Sequence, residues 1–128
     1  MPRKRLHRPT DGELEILRVL WQRGPSTVRQ AHEGLPGDKD TSYNTTLKLM
    51  QIMTDKGMLT RDASQRPQVY AATLPEAKMQ QKLVRDFVRR AFGGSARKLV
   101  AALTATDISE AEMAEIKRLL KEMEGRDK

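Results

Sequence analysis

The chain has 128 residues, of which 38% are apolar and only 4% aromatic, so it can form one lean domain or a small domain with an oligomerisation region. It contains no cysteine, which excludes disulfides, thiolate metal sites and thiol redox chemistry. No apolar run approaches the ~18 residues of a membrane span, and the N-terminus lacks the apolar segment of a signal peptide, so a cytoplasmic protein without membrane insertion is predicted. The formal charge of +7 suits a polyanionic partner, although charge alone is a weak indicator.

Residues 1–9 form a predicted basic flexible arm with two prolines, which oppose regular structure. Its charged and titratable residues are Arg3, Lys4, Arg5, His7 and Arg8. Such an arm is either a disordered solubilising tail or a segment that contacts phosphate or the minor groove of DNA. Both interpretations remain open.

A first helix is predicted after this arm. The T-x-x-E pattern from Thr10 to Glu13 is a capping box, in which the two residues satisfy each other's backbone N–H groups. An apolar face follows, and Gly24-Pro25 ends the helix. Trp21 lies on that face and is predicted to pack in the core.

A second, shorter helix is predicted from the T-x-x-Q pattern between Thr27 and Gln30. The turn residues at 35–38 end it. His32 and Glu33 lie within it, but neither has a companion at metal-ligand spacing. They are interpreted as ordinary surface or edge residues, and no metal site or cofactor is predicted.

The stretch from Thr41 to Gly57 has the features of a DNA recognition helix. Ser42 or Thr41 is the expected N-cap, and a basic last turn precedes a terminal glycine. One face is apolar, while the other carries short or amide side chains that can reach base edges when a helix lies in a major groove. The residues of that polar face are Asn44, Thr45, Lys48 and Gln51.

A β-hairpin is predicted directly after this helix, from runs at 58–61 and 68–72 that alternate roughly between apolar and polar residues. The loop between the runs reads DASQRP. The hairpin would place Arg61 and Arg66 near a phosphate backbone, as in the wing of a winged helix. Tyr70 is either a phosphate donor or a core residue, and its position in an alternating strand favours the core.

Three further helices are predicted in the C-terminal half. A capping box at Thr73 to Glu76 begins a long helix that ends before a glycine pair at 93–94, a second follows over 95–103, and Ser109 caps the last. Their apolar stripes suit burial against a second copy of the chain, although a helical subdomain folded on itself would give the same pattern. The residues assigned to dimerisation are Met79, Leu83, Phe87, Ile116, Leu119 and Leu120.

Charge is divided unevenly between these helices. Residues 78–98 carry seven basic side chains and one acidic one, a net of +6, whereas 99–128 carry five basic and seven acidic, a net of −2. Opposite charges on apolar helices favour exchange between two protomers. The predicted fold is mainly α with a small β-hairpin: a winged helix-turn-helix domain over 10–73 and a helical dimerisation region over 74–128.

Catalytic motifs are absent from the sequence. There is no G-x-S-x-G, glycine-rich phosphate loop or H-E-x-x-H pattern, and the serines lie in predicted caps and turns. An enzyme is therefore not predicted.

The sequence resembles the penicillinase repressor family of winged-helix transcriptional regulators from Pro9 to about Glu124. The matching stretches are TDGELEILRVLWQRGPSTVRQAHEGL, YNTTLKLMQIMTDKGML, RPQVYAA and FGGSARKLVAAL. The resemblance implies a transcriptional repressor that binds a palindromic DNA operator as a homodimer. Copper-responsive members use C-terminal cysteines, which this chain lacks, so copper sensing of that kind is not implied.

The resemblance also implies roles for particular residues. Asn44, Thr45 and Lys48 would face the major groove, Ser42 and Thr46 would lie on or near phosphate, and Arg66 would lie in the wing. Leu47 stands where the family often has a polar or basic residue; it could touch a thymine methyl or serve in local packing. Induction in resembling repressors involves a membrane sensor with a metalloprotease domain, and the corresponding cleavage would fall near Ala102-Leu103, where the penicillinase type has asparagine before phenylalanine.

Two other functions fit the same sequence. A nonspecific architectural DNA-binding protein is favoured by the basic arm and tail but disfavoured by the weakly basic recognition face. A winged helix can also serve as a protein-interaction module, in which case the polar face of the third helix would have no role in nucleic-acid binding.

Overall fold

The computed structural model of the chain describes residues 8–37 and 41–126, which form six helices and one two-stranded sheet. The elements are α1 (Asp11–Arg23), α2 (Val28–Glu33), α3 (Tyr43–Asp55), β1 (Leu59–Asp62), β2 (Val69–Ala72), α4 (Glu76–Ala91), α5 (Ala96–Thr104) and α6 (Glu110–Arg126). The predicted mainly-α fold with a small hairpin is confirmed. Most of the predicted basic arm, residues 1–7, lies outside the described residues.

Both capping boxes in the first two helices are present. In α1, the Glu13 carboxylate accepts from the Thr10 amide at 2.9 Å, and the Thr10 hydroxyl accepts from the Glu13 amide at 3.2 Å. In α2, Gln30 and Thr27 make the equivalent pair at 2.9 and 3.1 Å. These reciprocal bonds satisfy amides that no helical carbonyl can reach, and so they fix where each helix begins.

The third helix also begins and ends where its sequence predicts. Ser42, and not Thr41, is the N-cap, because its hydroxyl accepts from the Thr45 amide at 3.1 Å. Gly57 follows the C-cap residue Lys56 with φ of +86°, a left-handed conformation that glycine adopts without a steric penalty.

The predicted capping box at the start of α4 is wrong. The helix begins at Glu76, and the Thr73 amide donates to the Met58 carbonyl at 2.9 Å. Thr73 therefore extends the pairing at the base of the hairpin, and the first turn of α4 forms after Pro75, whose carbonyl accepts from the Met79 amide at 3.1 Å.

The hairpin pairs β1 with β2 in antiparallel register, from Leu59 opposite Ala72 to Asp62 opposite Val69. It is attached to the turn between α1 and α2, because Ser26 and Tyr70 exchange two backbone hydrogen bonds of 2.9 and 2.7 Å. A two-stranded ribbon is marginal alone, so this attachment to the helices gives the wing its support.

One hydrophobic core joins the first three helices, the hairpin and the start of α4. Its buried residues are Ile16, Leu17, Leu20, Val28, Ala31, Met50, Met53, Met58, Leu59, Tyr70 and Met79. The predicted core position of Tyr70 is confirmed. Trp21 is half-buried against the same cluster, and its indole N–H donates to the Leu74 carbonyl at 3.0 Å.

The chain divides into two compact units, the first ending at Leu83 and the second beginning at Val84, so the division falls inside α4. In the second unit the rings of Phe87 and Phe92 meet edge to face at 5.5 Å. From Val84 to Arg126, all of which the structure describes, only Val88 is buried. The second unit therefore has almost no core of its own.

Candidate nucleic-acid interface

The two faces of α3 differ in exposure as the sequence predicts. Met50 and Met53 are completely buried in the core. On the opposite side the helix presents polar side chains to solvent, and the N-cap lies at the same end. These exposed residues are Ser42, Asn44, Thr45, Lys48 and Gln51. They form a single polar surface along the N-terminal half of a helix that the core holds from behind.

Thr46 is placed differently from the other predicted DNA-binding residues, because its side chain is completely buried. Its hydroxyl lies 2.8 Å from Nδ1 of His32 and donates to the Ser42 carbonyl at 3.4 Å. Burial leaves no surface of Thr46 for a phosphate oxygen to reach. The residue instead connects α3 to α2 through His32.

An aromatic and basic cluster surrounds the start of α3, and sequence reasoning did not assign it a role. The His32 ring meets the Tyr43 ring edge to face at 5.9 Å, and the Arg29 guanidinium lies 5.1 Å from the centre of the Tyr43 ring. Tyr43 is the first residue of α3 and is exposed. The available sequence signal was a tyrosine directly after the predicted N-cap residue Ser42.

The wing carries the two arginines that the sequence places there. Arg61 lies in β1, Arg66 lies in the loop, and both are exposed. The Asp62 carboxylate organises that loop, because it accepts hydrogen bonds from Ser64 and from the Gln65 side chain. The Ser64 hydroxyl, followed by the Gln65 and Ser64 N–H groups, lowers the pKa of Asp62, which stabilises the charged form that accepts these bonds.

A cleft of about 340 Å³ lies between the start of α3, α2 and the wing. Its lining combines apolar, polar and basic residues: Thr27, Val28, Arg29, Tyr43, Leu47, Pro67, Gln68 and Tyr70. Leu47 is half-buried and packs against the core, so local packing occupies much of its surface.

Lys56, the C-cap residue of α3, pairs with a buried carboxylate of α1. Its ammonium group lies 2.9 Å from the carboxylate of Glu13, which is only 2% exposed. Burial alone would raise the pKa of Glu13, but hydrogen bonds from Thr10 and Lys56 and the charge of Lys56 outweigh burial and lower it. Glu13 therefore stays ionised and ties α1 to the C-terminal end of α3.

Within residues 8–37 and 41–126, no three histidine or acidic side chains are grouped closely enough to hold a metal ion. No helix in that part of the chain has both the length and the apolar character needed to cross a membrane.

Comparison with known proteins decides the family. A family profile described as penicillinase repressor matches residues 9–122, nearly the whole chain and both compact units. The chain belongs to the penicillinase repressor family. It is accordingly a DNA-binding regulator of transcription, of the repressor type.

Individual relatives within the penicillinase repressor family are similar to this chain along nearly its full length. The transcriptional regulator BlaI of Mycobacterium tuberculosis is 26% identical over 121 residues, covering 94% of this chain and 88% of its own. The penicillinase repressor of Bacillus licheniformis is 23% identical over 126 residues, covering 98% of each chain. The similarity therefore includes the C-terminal helices as well as the winged helix.

The residues assigned to dimerisation from the apolar stripes differ in burial. Met79 is buried in the core of the first unit, and Leu83 packs against that core. Phe87, Leu119 and Leu120 are 48%, 55% and 47% exposed. Ile116 is half-buried. Met79 is thus occupied within its own chain, while the three exposed residues are available to a partner.

The predicted cleavage position, Ala102-Leu103, lies in the last turn of α5, and both side chains are exposed. The carbonyls of these two residues accept from the amides of Ala105 and Thr106 at 3.1 and 3.0 Å. The bond is therefore accessible at its side chains but held in helical conformation.

Proposed function

We propose that this protein is a sequence-specific repressor that binds a palindromic operator as a homodimer, in the cytoplasm, with α3 of each protomer in a major groove. One observation carries the proposal. The polar face of α3 is exposed while its opposite face is fixed in the core, which is the arrangement that a recognition helix needs.

The chemistry of the exposed face suits base reading. Asn44 carries an amide, which can donate to and accept from an adenine edge in two parallel hydrogen bonds. Lys48, one turn further along, can reach a guanine edge or a phosphate. Thr45 and Ser42 share a hydrogen bond of 3.0 Å between their hydroxyls, and both remain exposed at the helix N-terminus, where the backbone dipole favours a phosphate. Arg66 would add a contact from the wing.

The exposed apolar residues of the second unit support homodimerisation. Helices α5 and α6 contain no buried residue. Large apolar side chains are exposed to solvent along α4, α5 and α6, namely Val84, Phe87, Val100, Leu103, Leu119, Leu120 and Met123. A unit with this little core requires a partner, and a second copy supplies one with the same surface. The proposed dimer surface comprises Phe87, Ile116, Leu119 and Leu120; Met79 and Leu83 support the first unit.

Release from the operator is proposed to follow an inducing signal that acts on the C-terminal helices. Cleavage at Ala102-Leu103 by a membrane sensor metalloprotease system is one such route. A protease binds its substrate in an extended conformation, so the last turn of α5 would have to unwind first. Side-chain bonds from Thr104 to the Ala101 carbonyl and from Thr106 to the Leu103 carbonyl, at 2.9 and 2.7 Å, oppose that unwinding.

Footprinting tests the proposal directly. Hydroxyl radicals would be applied to the DNA beside the gene of this protein, with the full chain bound. A dimer on a palindrome should protect two patches related by two-fold symmetry and separated by about one or two helical turns. Uniform protection along the DNA would contradict sequence-specific binding, and one unpaired patch would contradict the dimer.

A further inference from the structure

We infer that Arg29, stacked on Tyr43, is a phosphate-binding residue that clamps the DNA backbone beside the recognition helix. The inference rests on the proposed function, since it adds a contact on α2 to the interface formed by α3 and the wing. Neither the polar face of α3 nor the wing includes it.

The Arg29 guanidinium is held by the Tyr43 ring. Its carbon lies 5.1 Å from the centre of that ring, within the range of a cation–π contact. Such a contact restricts the guanidinium without engaging its N–H groups in hydrogen bonds to an oxygen acceptor. The group is therefore positioned and still able to bind an anion through two parallel hydrogen bonds.

Arg29 differs from two other basic residues of the first unit, whose charged groups bind oxygen atoms of the protein. Arg23 donates to the Gln30 carbonyl at 2.7 Å, and Lys56 pairs with Glu13 at 2.9 Å. Arg29 contacts the Tyr43 ring, and across residues 8–37 and 41–126 its guanidinium makes no hydrogen bond and no ion pair with a carboxylate. Arg29 is also exposed, so its donors face solvent.

Arg29 lies next to the recognition helix and to the wing. Tyr43 opens α3 directly after the N-cap Ser42, so the guanidinium on its ring lies beside a helix N-terminus, where the dipole is positive. Arg29 and Tyr43 also line the same cleft as Pro67 and Gln68 of the wing. A backbone strand that passes from the recognition helix toward the wing would cross this cleft, which suits one phosphodiester at Arg29.

The position of Tyr43 is itself fixed from behind. His32 meets the ring edge to face at 5.9 Å and bonds to the buried Thr46 hydroxyl at 2.8 Å. This contact places the Tyr43 ring against α2, the helix that carries Arg29, and so holds the ring next to the guanidinium. Tyr43 is thus a positioning residue, and Arg29 is the residue that touches DNA.

The test measures affinity against salt concentration for the full chain on two duplexes: the footprinted DNA beside its own gene, taken as cognate, and a scrambled duplex of the same base composition. Each lost phosphate contact lowers the log–log slope by about 0.9. Arg29→Gln should lower it by that amount and weaken both duplexes about tenfold, the equivalent of one charge-assisted hydrogen bond. Tyr43→Phe keeps the ring and should bind as the unaltered protein does. Tyr43→Leu should weaken binding about two- to fivefold and keep the slope.

Arg18→Gln is the matched control, because Arg18 is an exposed arginine that lines a different cleft, with Trp21 and Glu76. Its slope should not change. A second readout replaces single phosphates of the duplex by neutral methylphosphonates. At one position the neutral linkage should weaken the unaltered protein and leave Arg29→Gln unaffected.

The inference is overturned if Arg29→Gln keeps the slope and the affinity, or if every methylphosphonate weakens both proteins equally. Either result would leave the proposed function standing, provided that the unaltered protein still prefers its cognate duplex. Conversely, equal binding to cognate and scrambled duplexes would contradict the proposed function, while a slope change in Arg29→Gln would still support the clamp.

Discussion

The Glu13 carboxylate lies 2.9 Å from the Lys56 ammonium group, which joins the first turn of α1 to the C-terminal end of α3. The same carboxylate completes the capping box of α1 through Thr10. One buried acidic group therefore caps α1 and contacts the C-terminal end of α3.

Removing Lys56 should destabilise the winged helix. Lys56→Met leaves the buried Glu13 without its cationic partner, and we expect the free energy of unfolding to fall by roughly 1–3 kcal/mol. Urea unfolding at neutral pH measures the change. Lys48→Met is the control on the same helix, because Lys48 is exposed, and it should stay within about 0.5 kcal/mol. Equal effects of the two substitutions would mean that the ion pair contributes nothing.

The lowered pKa of Glu13 makes stability depend on acid. Since the folded pKa lies below the unfolded one, the Glu13 contribution is fully present above the unfolded pKa and is lost as pH falls through the folded pKa. We expect unfolding free energies of the unaltered protein to decrease from about pH 4.5 downward. Glu13→Gln, which cannot titrate, should show a shallower decrease over that range. Parallel curves for the two proteins would contradict this assignment.

Thr46→Val tests whether Thr46 is structural. Valine has nearly the same shape but cannot bond to His32, so we expect a loss of roughly 0.5–1.5 kcal/mol in unfolding free energy. Because Thr46 is completely buried, the folded variant should bind DNA with unchanged affinity. Thermal unfolding and DNA titrations below the unfolding transition provide the two readouts. A loss of DNA affinity by the fully folded variant would instead mean that the Thr46 hydroxyl contacts the DNA.

The sequence predicts those features of the fold that depend on residues close together in the chain. The caps at Thr10, Thr27 and Ser42 are predictable because each involves residues three apart in the chain. The burial of Thr46 was also predictable, because Thr46 lies four residues before Met50 and so shares its face of α3. The family resemblance nevertheless placed Thr46 on or near phosphate. Helical periodicity was the better guide there.

Contacts between distant residues could not be predicted. Nothing local to Glu13 or Lys56 indicates that they pair, and the same holds for His32 and Thr46. The apolar stripe on α4 includes Met79 and continues with the same spacing into the second unit. The sequence alone therefore does not show where the core of the first unit ends. The domain boundary at 73 and 74 stays a prediction.

Leu120→Asp should disrupt the proposed dimer. Leu120 is 47% exposed on α6, and a carboxylate there would have to be desolvated against a second copy. Sedimentation equilibrium of the full chain should show a dimer for the unaltered protein and mainly monomer for the variant. Lys121→Asp is the control, because Lys121 is an exposed polar neighbour on the same helix. The dimer surface would be wrong if both variants remained dimeric.

Selection of bound duplexes from a random pool tests most directly whether α3 reads sequence. The selection would be run at ~150 mM salt, where nonspecific phosphate binding is suppressed, with the unaltered protein and with Asn44→Ala. We predict an inverted repeat for the unaltered protein and a lost base preference at one position of each half-site for the variant, at about 1–3 kcal/mol per position. No enriched motif, or the same motif for both proteins, would contradict base reading by the exposed face of α3.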